Sequence, residues 1–163
     1  MYKFKISEII NQPNNNISIR FEDLSTHYPK YKAGQFLTLS FLFGEREVRR
    51  SYSFSSSPDA GEPYEITVKR VDNGEISRLL HHKIAVGDTI DVLEAQGLFV
   101  YDAAPNKKNT VFLFAAGVGI TPLFSILKTV LLTDETSKVV LIYSNSSPAQ
   151  TLFYDLLIAW QSR

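Results

Sequence analysis

The hydrophobic period of this chain changes once, near residue 105, and that change constrains the fold more than any single motif. Before it, apolar and polar residues alternate in short runs: Tyr2, Phe4 and Ile6 against lysines and a serine, then Ile17 to Phe21. Alternation of this kind marks half-buried strands. Gln35 to Phe43, Val48 to Ser55, Tyr64 to Val71 and Thr89 to Leu93 read as further strands. They are separated by turn signals such as Ala33-Gly34, Ser57-Pro58-Asp59-Ala60-Gly61 and Gly87-Asp88, and a polar turn spans Asn11 to Asn16. About six short strands, interrupted by one helix from Glu75 to about Lys83, predict an all-β antiparallel Greek-key barrel.

Beyond the change the pattern is that of a parallel sheet. Val111 to Ala115 and Val139 to Tyr143 are continuous apolar runs, as in buried parallel strands. Between them, Pro122 to Leu132 places Leu123, Ile126, Leu127 and Val130 on one helical face, and Gln150 to Trp160 places Leu152, Leu156 and Ala159 on one side. This βαβα order is the beginning of a doubly wound, nucleotide-binding α/β domain, here partial. Ala103 to Asn109 reads as the linker, giving expected domains 1–103 and 110–163.

Composition narrows the function. Lys+Arg 17 balances Asp+Glu 17, so no global charge draws the chain to nucleic acid or an anionic membrane. With no cysteine there is no disulfide framework, thiolate zinc site or cysteine-ligated cluster in this chain, which suits a reducing, cytoplasmic setting. His27, His81 and His82 show no metal spacing, so no metal is expected. Thr110 to Leu127 is uncharged and approaches the length of a membrane span, about 18 residues. Gly117, Gly119 and Pro122 interrupt it, so a strand, tight turn and helix are expected instead.

Three motifs carry chemistry. Arg50-Ser51-Tyr52-Ser53 lies on a predicted strand. A flavin needs charge compensation for phosphate, a flat apolar surface for its ring and hydrogen bonds near its redox nitrogens. Arg50 can grip a phosphate, Tyr52 can stack and Ser53 can hydrogen-bond the ring edge. Strand alternation sends Arg50 and Tyr52 to one face and Ser53 to the other, so backbone contacts from Ser53 or a kink are needed. An ordinary exposed polar strand is the competing reading. Gly74-Glu75-Ile76-Ser77 opens a helix after a strand, where backbone amides attract anions, or serves as a plain turn. Gly117-Val118-Gly119-Ile120-Thr121-Pro122 stands between a buried strand and an amphipathic helix, the setting of a phosphate loop. Thr121 is expected to cap that helix and Pro122 to open it. Pro122 replaces the third glycine of the standard dinucleotide fingerprint, and a structural turn remains an alternative. Ser144-Asn145-Ser146-Ser147 carries neither the carboxylate of an NAD site nor the arginine of an NADP site.

Tyr31-Lys32-Ala33-Gly34-Gln35-Phe36, the Arg-Ser-Tyr-Ser stretch, Val68-Lys69-Arg70-Val71 with Gly74 to Ser77, then Gly87-Asp88, Gly97-Leu98-Phe99 and the glycine–proline loop resemble, in this order, the ferredoxin–NADP+ reductase superfamily. Within it the chain looks most similar to reductase components of multicomponent oxygenases, the phenylacetyl-CoA oxygenase reductases among them. The resemblance implies an FAD-binding barrel in which Arg50 contacts the flavin phosphates, Tyr52 packs on the ring and Ser53 lies near its redox edge. Thr67, Val68 and Lys69 would line the flavin, and Gly74, Ile76 and Ser77 would hold the pyrophosphate. Gly117 and Gly119 would approach NAD or NADP as substrate, with Thr121 near the flavin. Tyr52, Ser53 and Thr121 would stand closest to the chemistry. Hydride would pass from NAD(P)H to FAD, and electrons onward to a ferredoxin-type iron–sulfur domain or an oxygenase. A later cysteine–glycine segment and a cysteine-rich iron–sulfur domain of relatives are missing, so the chain looks C-terminally incomplete and is expected to bind FAD with weak or absent hydride transfer. The rival expectation is a non-enzymatic flavin- or nucleotide-binding or docking module. Self-association through Val139 to Tyr143, an unprotected strand edge, is expected as well.

Overall fold

The structure, a computed structural model, describes residues 1–25, 27–102 and 108–161. Six antiparallel strands form the first lobe: β1 (Tyr2–Gln12), β2 (Asn16–Asp23), β3 (Phe36–Phe43), β4 (Arg46–Ser53), β5 (Tyr64–Lys69) and β6 (Thr89–Val92), with helix α1 (Glu75–His82) between the last two. Their order is β4-β3-β6-β1-β2-β5, so β6 returns between β1 and β3 in Greek-key fashion. The expected alternation holds in β1, where Phe4 and Ile6 are fully buried. Phe4, Ile6, Ile19, Phe21, Leu37, Leu39, Phe54, Ile66 and Val68 fill the barrel, and Ile76 and Leu80 plug it from α1. The polar turn after β1 is tight: Asn14 and Asn15 both take the left-handed conformation, which asparagine tolerates.

The second lobe is a two-stranded parallel sheet, β7 (Thr110–Ala116) and β8 (Lys138–Ser144), with helices α2 (Ile120–Thr133) and α3 (Tyr154–Gln161). Leu123, Ile126, Leu127 and Val130 of α2 are buried as the periodicity predicts. Two expectations are corrected. A 3-10 turn over Gly117–Gly119 leads directly into α2, which starts at Ile120 rather than Pro122. Gln150 lies in a 3-10 turn, Pro148–Gln150, and α3 begins only at Tyr154, after Phe153 adopts φ +60°. That break resets the helical phase. Leu152 and Phe153 are buried ahead of α3 and Leu157 packs inward, whereas Leu156 is exposed.

The uncharged stretch from Thr110 is thus strand, turn and helix, and no helix among the described residues is long and apolar enough to cross a membrane. Most of the Ala103–Asn109 linker lies outside the described residues. The lobes meet through Ala33, which is buried in the core cluster of α2, and through polar groups. Ser125 donates to the Ser56 carbonyl at 2.5 Å, Ser57 and Thr129 share a hydrogen bond of 2.7 Å, and Lys128 pairs with Glu62. Gly34 sits at a close approach: at φ +98°, a Cβ there would lie 2.1 Å from the Phe99 carbonyl oxygen.

Candidate functional site

β4 and β5 are the two outer strands of the six-stranded sheet, and they meet at one bridge, Phe54 to Ile66. Continued one step along both edges, that antiparallel register would bring Tyr52 opposite Val68, and β5 ends one residue later at Lys69. No ladder joins β4 to β5 past the bridge among the described residues, which leaves an open slot between the two strand edges. A second closure lies at its far end, where the Arg46 guanidinium forms a two-pronged ion pair with Glu75, the first residue of α1.

The register of β4 against β3 decides which side chains face the slot. Arg50 pairs with Leu39 and Tyr52 with Leu37, and both leucines are fully buried, so Arg50 and Tyr52 share the inner face. Tyr52 is half-buried, and desolvation pushes its phenol up to about 12, against the pull of nearby Arg50. Arg50 has no ion-pair partner among the described residues; its Nη1 donates to the Arg49 carbonyl at 2.7 Å. β4 runs without a bulge, and the Ser53 side chain keeps to the face opposite Tyr52. Phe54 N–H donates to Gln35 on the β3 side, so the neighbouring peptide N–H of Ser53 turns toward the open edge. Backbone, not a kink, is how Ser53 reaches the slot.

Across the slot the side chains are engaged elsewhere. The Thr67 hydroxyl lies 2.9 Å from that of Ser18 and donates to Ser55 at 3.2 Å, in a buried polar layer that also holds Glu65 and Arg20. Val68 is fully buried in the core, and Lys69 is exposed. β5 therefore meets the slot with its backbone edge. His81 sits 3.2 Å from the Val68 carbonyl, and burial lowers its pKa below the usual value.

At α1, Gly74 is the N-cap and no side chain caps the helix. A Cβ on Gly74 would lie 2.3 Å from Ser77 Oγ. The Ser77 hydroxyl accepts from Val71 N–H at 3.1 Å, closing the turn, and Ile76 is locked in the core. What the helix start offers an anion is its first-turn amides. At the second loop, Gly117 takes φ +49° and its carbonyl accepts from the Tyr143 hydroxyl at 2.8 Å. Gly119 is the N-cap of α2. Thr121, expected as a cap, lies inside the helix, is buried, and donates back to the Val118 carbonyl at 2.7 Å. This turn packs against β5, so both glycine loops share that strand.

The slot thus offers a guanidinium with no ion-pair partner among the described residues and a half-buried aromatic ring on one face, open peptide edges, and a helix start that no side chain caps. Sequence reasoning missed Arg46, whose pairing with Glu75 depends on the barrel nearly closing. It also missed the buried Ser55-Ser56-Ser57 run and Lys128; a lysine directly after a long uncharged stretch was the available signal. A cavity of about 740 Å³ lies between Tyr31, Lys32, Asp59, Glu62 and Thr129.

An antiparallel barrel of this order, followed by a parallel α/β lobe whose first strand runs through a glycine turn into its helix, defines the ferredoxin–NADP+ reductase-like class. Residues 3–101 match the oxidoreductase FAD-binding domain and residues 113–163 the oxidoreductase NAD-binding domain, and the chain belongs to the first of these families. It is similar to the flavohemoprotein of Candida albicans, with 35% identity over 98% of this chain and 40% of the relative. It is also similar to the ferredoxin reductase component of 3-ketosteroid-9-alpha-monooxygenase from Rhodococcus rhodochrous, with 36% identity over 94% of this chain and 44% of that protein. Among solved structures it resembles phthalate dioxygenase reductase, described as a modular structure for electron transfer from pyridine nucleotides to 2Fe–2S. That match has TM-score 0.82 and 26% identity, over 98% of this chain and 49% of that one. The chain thus spans less than half the length of these relatives.

Proposed function

We propose that the slot between β4 and β5 binds FAD, and that the chain is the flavin-binding part of a reductase drawing electrons from NADH or NADPH. The observation that carries this reading is the placement of Arg50 and Tyr52 on one face of an edge strand, where it parts from β5 beside an uncapped helix start. Arg50 balances phosphate charge and Tyr52 packs against the ring. Ser53 presents its peptide N–H at the redox edge. Thr67, Val68 and Lys69 contribute the edge of β5. Gly74 to Ser77 receive the pyrophosphate on backbone amides, with Ile76 anchoring the helix. When bound, the flavin supplies two-electron acceptance and one-electron release.

Gly117 and Gly119 leave room for the pyridine nucleotide to approach, and Thr121 stiffens their turn. The residues after β8 carry neither the carboxylate nor the guanidinium that would select NAD or NADP. The domains in this reading are 1–103 and 110–163, in a cytoplasmic protein whose electrons pass to an iron–sulfur or oxygenase partner. Titrating the apo-protein with FAD tests it. The expected result is saturable quenching of flavin fluorescence, weakened at least about tenfold by Arg50→Ala. Absence of FAD binding overturns the reading. Bound flavin that neither NADH nor NADPH reduces, in this chain and in a longer form, favours the docking-module alternative.

A further inference from the structure

The slot has one closure made of backbone and one made of side chains. Phe54 and Ile66 hold the first through their peptides; Arg46 and Glu75 hold the second through a charge pair between exposed groups. Such a pair exchanges partners readily. Val48 separates Arg46 from Arg50 on the same face of β4, and the Arg46 hydrogen bond chiefly, with a smaller contribution from the Arg50 charge, holds the Glu75 carboxyl below its usual pKa. One carboxylate is thus held by the Arg46 guanidinium at a helix start that also favours negative charge, on the strand face that carries Arg50.

Resting on the flavin reading above, we propose that Arg46 selects the dinucleotide flavin: its guanidinium exchanges the Glu75 carboxylate for the second phosphate of FAD, a group that FMN lacks. The phosphate common to both flavins falls to Arg50, which has no ion-pair partner among the described residues. The second phosphate continues toward α1 and needs another cation. Arg46 is the next guanidinium on that face, four residues or roughly 13 Å along the strand, a gap that two arginine side chains span from both ends. Its approach is restrained by stacking over the Phe43 ring, 5.5 Å from the centroid. Glu75 holds the phosphate's place until the ligand arrives.

Affinities for FAD and FMN, measured by flavin fluorescence at one ionic strength, test this in the full chain, Arg46→Gln and Glu75→Gln. Arg46→Gln is expected to weaken FAD about tenfold and leave FMN within about twofold. Glu75→Gln is expected to tighten FAD about threefold by removing the competing carboxylate. If both variants move FAD affinity in the same direction, the pair is a clamp on the barrel and the proposal fails. If Arg46→Gln weakens FMN as much as FAD, selection by the second phosphate fails. A wild-type chain that binds neither flavin overturns the underlying reading as well, a result distinct from either of these. Both side chains are exposed, so both variants are expected to fold, and circular dichroism checks that they do.

Discussion

Lys128 of α2, only 4% exposed, forms an ion pair with Glu62 from the loop between β4 and β5, and its ammonium lies 4.5 Å from the centre of the Phe124 ring. Burial lowers the Lys128 pKa, and the hydrogen bond and charge of Glu62 oppose that shift. The pair ties the barrel to α2, next to the Ser57–Thr129 hydrogen bond of 2.7 Å. Removing the carboxylate leaves a charge in a dry contact. Glu62→Gln is therefore expected to destabilise the fold by about 2 kcal/mol, below the full cost of breaking a buried pair because Glu62 is partly exposed. Lys128→Met removes the charge along with its need for a partner and is expected to cost less than Glu62→Gln. Urea unfolding midpoints compare the two, and a larger loss for Lys128→Met would show that packing of the lysine stem dominates.

Gly74 is constrained by space, not by backbone conformation. Its φ of −82° suits any residue, but an added Cβ would meet Ser77 Oγ at 2.3 Å and Val71 Cβ at 3.0 Å. The Ser77 hydroxyl would have to turn away and release Val71 N–H. Gly74→Ala is expected to cost about 1–2 kcal/mol through this overpacking and the lost hydrogen bond. It is also expected to weaken FAD binding, since the first-turn amides move with the turn. Thermal unfolding and FAD titration of one preparation read both effects. A variant of wild-type stability with wild-type FAD affinity would refute the packing argument and the role of this turn together.

The change of period near residue 105 was legible because both lobes obey local rules. Phe4 and Ile6 alternate as a strand requires, and Leu123, Ile126, Leu127 and Val130 repeat as a buried helix face requires. Arg50 and Tyr52 were legible for the same reason, since alternation alone puts them on one face. What escaped depended on long-range closure. Nothing local to Arg46 announces Glu75, 29 residues away, or to Ser125 announces Ser56, 69 residues away. The start of α3 was misread because Phe153 takes a left-handed conformation that its side chain does not advertise. Thr121 was misassigned because its hydroxyl satisfies the carbonyl of a 3-10 turn instead of capping a free amide.

The face of the two-stranded sheet turned away from α2 is apolar. Phe112 stands opposite Val140 and Phe114 opposite Ile142, all four exposed. β8 also has a free edge among the described residues. Contiguous apolar surface beside an open edge favours association. Light scattering is expected to show a mass that rises with concentration, and a double variant, Phe114→Lys with Ile142→Lys, is expected to restore the monomer without altering the far-ultraviolet spectrum. A wild-type monomer at high concentration would count against self-association.

Tyr52 is expected to contribute to loss of stability at alkaline pH. Burial raises its phenol from 10.0 to about 12 in the folded chain, so the native state holds this proton more tightly than the unfolded chain does. Below pH 10 both states are protonated and the full contribution to stability is present. As pH rises from 10 through about 12 the unfolded chain loses the proton first, and the contribution is lost. Other buried phenols, Tyr28 and Tyr31, are shifted upward as well, so the wild-type curve alone does not isolate Tyr52. The difference between wild type and Tyr52→Phe does. Denaturant midpoints of the two are expected to keep a constant offset up to pH 10, and above it the wild type is expected to lose stability more steeply. An offset that stays constant to pH 12 would mean that Tyr52 titrates as a solvated phenol, and would remove the half-buried ring on which the flavin reading relies.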